Sequence, residues 1–198
     1  MKIGVLSFQG GVVEHLNQIK QLGYEGIEVK KENDLNDIDA IILPGGESTT
    51  IGKLLNITQL MKPLREKIKA GLPTWGTCAG MILLAKEIED EKTNYLATMD
   101  IKVKRNAFGT QIDSFKMNKI IEEASNKEIE LVFIRAPYIT EVKNNVEILC
   151  EVNNNIIAVK QDNMIATSFH PELTDDLTFL RYFLDNVVEK NMNGVFRS

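Results

Sequence analysis

The stretch "PTWGTCAGMILLA", Pro73–Ala85, decides how this chain folds. Its first half, within "LPTWGT", reads as a buried strand, and "AGMILLAKEIE" reads as a helix. Between them lies a cysteine flanked at two positions by glycine. A strand that turns directly into a helix is the repeating unit of a parallel α/β sheet. The same unit recurs on the amino-terminal side. "KIGVLSF" is an apolar strand stopped by "QGG", and "GVVEHLNQIKQLG" places Val12, Leu16 and Ile19 at helical spacing before Gly23. "GIEVKK" is a second strand. "DAIILPGG" is a third, apolar throughout, as expected where both faces are covered. "STTIGKLLNITQLMKPLREKIKAG" supplies Ser/Thr capping candidates and one or two helices, the second begun by Pro63. This alternation predicts an open, doubly wound, mostly parallel sheet flanked by helices.

On the carboxyl side the pattern changes. Between Met99 and Val159 the pieces "DIKVKRN", "ELVFIRAP", "VEILCEV" and "IIAVKQ" are strand-like and favour antiparallel pairing. "MIATSFHPEL" returns to a buried strand. "TDDLTFLRYFLDNVVEK" is a helix with Leu177, Leu180, Phe183, Leu184, Val187 and Val188 on its apolar stripe, and Asp175 and Asp176 complement its amino-terminal dipole. No linker, repeat or biased segment divides residues 1–198, so one domain is expected.

The totals exclude several function classes. The 198 residues carry a net charge of −5, with 43% hydrophobic and 26% charged residues. That balance is the opposite of the basic footprint of a nucleic-acid surface. No apolar run approaches the roughly 18–20 residues that span a bilayer. "MKIGVLSFQGG" is too short for a signal peptide and reads as strand plus turn. Two cysteines, Cys78 and Cys150, make no disulfide framework. Two histidines and no carboxylate cluster at ligand spacing argue against a metal site. The cytoplasm is the expected location.

Ligands of an open parallel sheet bind beyond the carboxyl ends of its strands. Four polar or glycine-rich segments fall at such ends: "QGG", "PGGESTT", "GTCAG" and "SFHPEL". Cys78 in G-x-C-x-G has the layout of a nucleophile elbow. Gly76 and Gly80 permit a tight backbone and keep side chains away from an approaching substrate, and a helix starting at Ala79 favours thiolate over thiol. A buried structural thiol is the competing reading. A thiolate needs a base, and His170 is available. Glu172 follows at i+2, on the same side of an extended segment, where it can orient the imidazole. A surface His-Pro-Glu turn is the bland alternative. Gly45 and Gly46 leave backbone N–H groups open for an oxyanion or other anion. His15 reads as a helix-face or interface residue. Cys150 reads as a buried strand residue sharing a face with Ile148 and Val152.

These segments resemble the class I (triad) glutamine amidotransferases, a flavodoxin-like three-layer fold. The closer similarity is to the glutaminase subunit family of pyridoxal 5′-phosphate synthase. "QGGVVEH", "LPGGESTT", "WGTCAGMILLAKEI", "VKRNAFGTQIDSF" with "FIRAP", and "SFHPELT" carry it. The resemblance implies Cys78 as nucleophile on L-glutamine, His170 as proton shuttle and Glu172 as its orienter. It implies an oxyanion hole from the N–H groups of Gly46 and Ala79. It implies glutamine binding by Gly46, Glu47, Ser48, Arg105, Ile134 and Arg135. The implied partner is a (β/α)8-barrel synthase subunit in a large hetero-oligomer, which uses the ammonia. Pyridoxal 5′-phosphate is then the product of the complex, and this chain needs no cofactor. Thr110 stands where the family usually has a basic residue, and it carries no assigned role. Two other readings share the scaffold: a glutaminase for a different amidotransferase, and a non-catalytic binding protein. "RNAFG" with "FIRAP" argues against the first, and the His170–Glu172 pair against the second.

Overall fold

The computed structural model describes residues 1–105, 114–143 and 145–194. Asn106–Gly109 of "RNAFG" and Thr110 therefore lie outside the described residues.

The described residues form twelve strands: β1 (Lys2–Leu6), β2 (Glu25–Val29), β3 (Ala40–Leu43), β4 (Thr74–Thr77), β5 (Ala85–Ile88), β6 (Met99–Lys104), β7 (Ser114–Ile121), β8 (Ser125–Ile134), β9 (Tyr138–Val142), β10 (Glu147–Val152), β11 (Asn155–Gln161) and β12 (Met164–Thr167). The helices are α1 (Val12–Gln21), α2 (Ser48–Ile57), α3 (Met61–Lys69), α4 (Ala79–Leu84), α5 (Thr178–Phe183) and α6 (Glu189–Met192). The main sheet runs β2-β1-β3-β4-β12-β11-β9-β6-β5, with β10 paired to β11, and β7 and β8 form a separate hairpin. Strands β2, β1, β3, β4 and β12 are mutually parallel. From β12 onward the pairs β12–β11, β11–β9 and β9–β6 are antiparallel. A parallel block followed by antiparallel strands is the expected architecture.

The central strands are buried on both faces because period-two alternation sends side chains to two cores. Ile41 and Leu43 of β3 join Leu55 of α2, Leu64 of α3 and Met81 of α4 on one face. Ala40 and Ile42 join Ile19 of α1 and Phe179 and Phe183 of α5 on the other. Trp75, the chain's single tryptophan, stands in β4 on that second face. Its ring lies 5.3 Å from Phe179 and 5.7 Å from Phe183, and its Nε1–H donates to the Thr167 hydroxyl at 3.1 Å. This bond joins β4 to β12 directly beneath two of the four loops.

Local expectations fail where packing overrides periodicity. The helix after Cys78 ends at Leu84, and Ala85 turns to φ −59°, ψ 135°. The chain then becomes β5, whose Ala85 and Ile88 pair with Met99 and Val103 of β6. A sheet edge takes residues that look helical in isolation. Pro63 stands two residues inside α3, which begins at Met61. In β10 a register irregularity follows Ile148, which becomes exposed while Leu149 and Cys150 are both buried. Cys150 therefore does not share a face with Ile148. The final helix departs from α geometry, with a π turn over Leu184–Val188 between α5 and α6.

Candidate active site

The loops after β1, β3, β4 and β12 all sit at the carboxyl edge of the parallel block, as their strand order requires. Cys78 follows β4 with φ 50° and ψ −104°, a conformation that a non-glycine residue adopts only when its surroundings impose it. Its N–H donates to the Thr167 carbonyl at 2.7 Å, and its own carbonyl accepts from Met81 at 3.1 Å. The elbow is thus held from both sides. The glycines around it permit the tight backbone expected, but they face the packed interior and do not line the cavity. A Cβ on Gly80 would fall 2.0 Å from the Leu43 carbonyl oxygen, and one on Gly76 would fall 2.5 Å from the Gly80 carbonyl carbon. They let α4 press onto β3 and β4, which fixes the elbow.

His170 follows β12. Its N–H donates to the Val132 carbonyl at 2.8 Å, and its Nδ1 lies 2.8 Å from Glu172 Oε1. The expected contact forms, but by another backbone: Pro171–Leu173 is a 3₁₀ turn, not an extended segment. Burial pushes the His170 imidazole down, but its hydrogen bonds with Cys78 and Glu172 outweigh this and raise it to about 10. Burial, the largest influence, pushes the Glu172 carboxyl up, but the His170 hydrogen bond, the charges of His15 and His170 and a backbone hydrogen bond together outweigh it and lower it. With Nδ1 on Glu172, Nε2 is the ring nitrogen left for the thiol. Gly45 packs where the two meet: a Cβ there would lie 2.4 Å from His170 Cε1 and 3.5 Å from Cys78 Cβ.

A cavity of about 380 Å³ opens over the sulfur. Gly46, Glu47, Ser48, Cys78, Ala79, Arg105, Ile134, Arg135 and His170 all line it. Every substrate-binding and oxyanion residue expected from the sequence is therefore brought together; of the catalytic three, Glu172 stands behind His170, off the wall. Ile82 and Pro137 complete the lining and were not anticipated. The Ile134 carbonyl accepts from Cys78 Sγ at 4.0 Å. Ser48 Oγ is buried with no hydrogen-bond partner among the described residues.

Glu47, rather than a serine or threonine, caps α2. Its carboxylate accepts from the N–H groups of Thr49 at 3.1 Å and Thr50 at 2.7 Å, and from the Thr50 hydroxyl at 2.8 Å. Partial burial raises its pKa, but these donors prevail and set it at about 2. Arg105 lies against it, Nη2 to Glu47 Oε1 at 3.1 Å, with Nη1 on Glu91 Oε1 at 2.9 Å. The cavity rim thus carries a fixed anion and a forked cation. Gln9 of the "QGG" loop accepts from the Glu47 N–H at 3.1 Å, tying the first loop to the second. Gln9 and Glu91 were given no role from the sequence because their partners are remote in the chain.

The SNO glutamine amidotransferase family model matches residues 5–189. The chain belongs to the SNO glutamine amidotransferase family. A Clostridium beijerinckii protein named pyridoxal 5′-phosphate synthase subunit PdxT is 74% identical over 184 residues, covering 93% of this chain and 97% of that one. A Clostridium kluyveri protein of the same name is 59% identical, covering 93% and 98%. A crystal structure described as a glutamine amidotransferase superposes with a TM-score of 0.89 at 41% identity, covering 94% of this chain and 98% of its own. This SNO-family member thus has relatives matched over nearly their whole length. Among its described residues, no helix is long and apolar enough to cross a membrane.

Proposed function

We propose that this chain is the glutaminase subunit of a pyridoxal 5′-phosphate synthase, working as one amidotransferase domain over residues 1–198 in the cytoplasm. The observation that carries the reading is the Cys78 elbow beside the His170–Glu172 pair at adjacent strand ends, on a chain of the SNO family. The relatives' shared name supports the pathway.

Glutamine enters with its α-carboxylate toward Arg105 and its ammonium toward the Glu47 side of the cavity, with Ser48, Ile134 and Arg135 completing the wall. Its side-chain carbonyl carbon meets the Cys78 thiolate. The S–C bond forms, the carbonyl electrons move to oxygen, and the Gly46 and Ala79 N–H groups receive that oxyanion. His170, protonated, passes its proton to the amide nitrogen; the C–N bond breaks and ammonia leaves. Water then attacks the glutamyl thioester, His170 takes its proton, and glutamate departs from the regenerated thiolate. Glu172 keeps the imidazole oriented and stabilises its cationic form. Ammonia lost to water becomes ammonium, which is no nucleophile, so a partner must receive it; in this reading, from the family resemblance, that partner is a (β/α)8-barrel synthase subunit within a large hetero-oligomer. Pyridoxal 5′-phosphate leaves as the product of that complex, and no metal or cofactor takes part in this chain's step.

Glutamate release from glutamine, measured with and without the synthase subunit, tests this. Cys78→Ala is expected to abolish release while leaving the circular dichroism and melting of the chain unchanged. Hydrolysis at the native rate by that folded variant would remove Cys78 from the mechanism.

A further inference from the structure

One oxygen of the proposed triad has no assigned partner. Glu172 Oε1 engages His170, but Oε2 is buried and has no hydrogen bond among the described residues. A buried carboxylate oxygen left unmet carries its full desolvation cost. The group that faces it is His15, whose Nε2 lies 3.5 Å away. His15 is fully buried, against the expectation of a helix-face or interface residue, and neither of its ring nitrogens is hydrogen-bonded among the described residues. Two unsatisfied polar groups therefore face each other a few tenths of an ångström beyond normal N–H···O distance.

The surroundings hold them there. Gln18, one turn along α1 from His15, donates its amide to the carbonyls of Pro171 at 3.0 Å and Thr174 at 2.9 Å. These bonds clamp α1 over the 3₁₀ turn that carries Glu172. The edge of Trp75 closes the other side of the His15 ring at 6.2 Å. The imidazole has nowhere to swing.

We propose, resting on the triad reading above, that His15 is a positioning residue: its Nε2–H holds Glu172 Oε2 and so keeps Oε1 on His170. A carboxylate only accepts and a neutral imidazole has a single N–H, so the tautomer is fixed with the proton on Nε2. Burial, the largest influence, favours the neutral ring; Glu172 opposes it, His170 reinforces it, and Glu14 opposes it weakly. Without this donor the carboxylate is free to rotate, and the imidazole loses its fixed direction toward the thiol. Substrate never touches His15, so the effect falls on kcat and spares KM.

The chain has two histidines, so an isotope-labelled sample gives two imidazole spin systems. Long-range nitrogen–proton correlation on the native chain is expected to show His15 neutral and protonated at Nε2 across the neutral pH range. A charged ring, or a proton on Nδ1, overturns the proposal without any variant. In glutamate release with the synthase subunit, His15→Leu is expected to lower kcat about tenfold, the rate equivalent of one hydrogen bond to a charged group, at unchanged KM. His15→Gln, whose amide reaches the same oxygen, is expected to come back within about threefold of the native kcat. Equal losses in two folded variants overturn the proposal. Cys78→Ala separates the two readings: its continued activity defeats the triad, whereas an inactive Cys78→Ala beside indifferent His15 variants defeats only the role of His15.

Discussion

Gly45 is the position where geometry makes the sharpest quantitative demand. Its missing side chain lets the loop after β3 lie against the imidazole: an added Cβ would sit 2.4 Å from His170 Cε1. Ordinary carbon–carbon contact begins near ~3.5 Å, so Gly45→Ala forces a displacement of about 1 Å. Its φ lies outside the left-handed region, so backbone conformation adds no further penalty. The displacement falls on the ring or on the loop, and both hold groups aimed at the reacting carbon. A misplacement of about 1 Å costs on the order of a hundredfold in rate. The assay is steady-state glutamate release in the presence of the synthase subunit, with the melting temperature as a check on folding. The expected result is a roughly hundredfold fall in kcat/KM with a melting temperature within a few degrees of native. A folded Gly45→Ala within about threefold of native activity would refute the claim that the loop and imidazole are packed to contact.

Two more outcomes follow from the charges. Arg105 joins Glu47 and Glu91 in partly exposed ion pairs, which contribute about 0–1 kcal/mol to stability. Arg105→Ala should therefore leave urea denaturation almost unchanged while raising KM for glutamine about tenfold or more, and an unchanged KM would remove Arg105 from the binding wall. Stability should also peak near neutral pH. His170, raised to about 10, contributes fully below its unfolded value of about 6.5 and loses that contribution as pH climbs toward 10. Glu172 and His15 are both lowered, so their contributions hold above their unfolded values and fade on acidification. Unfolding free energies from urea titration falling on each side of about pH 7, by the order of 2 kcal/mol at pH 9, are expected; a flat alkaline side would contradict a raised His170.

What the sequence disclosed and what it hid divide along physical lines. Strands such as "AIIL" and "MIAT" were legible because burial on both faces leaves them almost wholly apolar, the one polar side chain, Thr167, being buried on Trp75. Cys78, His170 and Glu172 were legible because each sits where a parallel strand must end, and short-range spacing limits what each can reach. The end of α4 at Leu84 was not, since no glycine or proline marks it and the stop comes from pairing with β6. Strands β7 and β9 were not singled out, because mixed polar composition hides a half-exposed strand. The capping of α2 by Glu47 was read instead as a Ser/Thr cap, the usual preference, which a longer carboxylate replaces here. His15 was misplaced because an amphipathic stripe shows that a residue is near a boundary, not which remote carboxylate waits across it.

The lone tryptophan gives the site its own reporter. All indole emission from this chain comes from one fully buried ring, three residues before Cys78, bonded to the strand that delivers His170 and edge-on to His15. Its spectrum is consequently a local optical gauge of the floor beneath the thiol, not an average over the molecule. Unfolding, shifts between β4 and β12 and charging of the neighbouring imidazole would each register in that one signal, with no label attached.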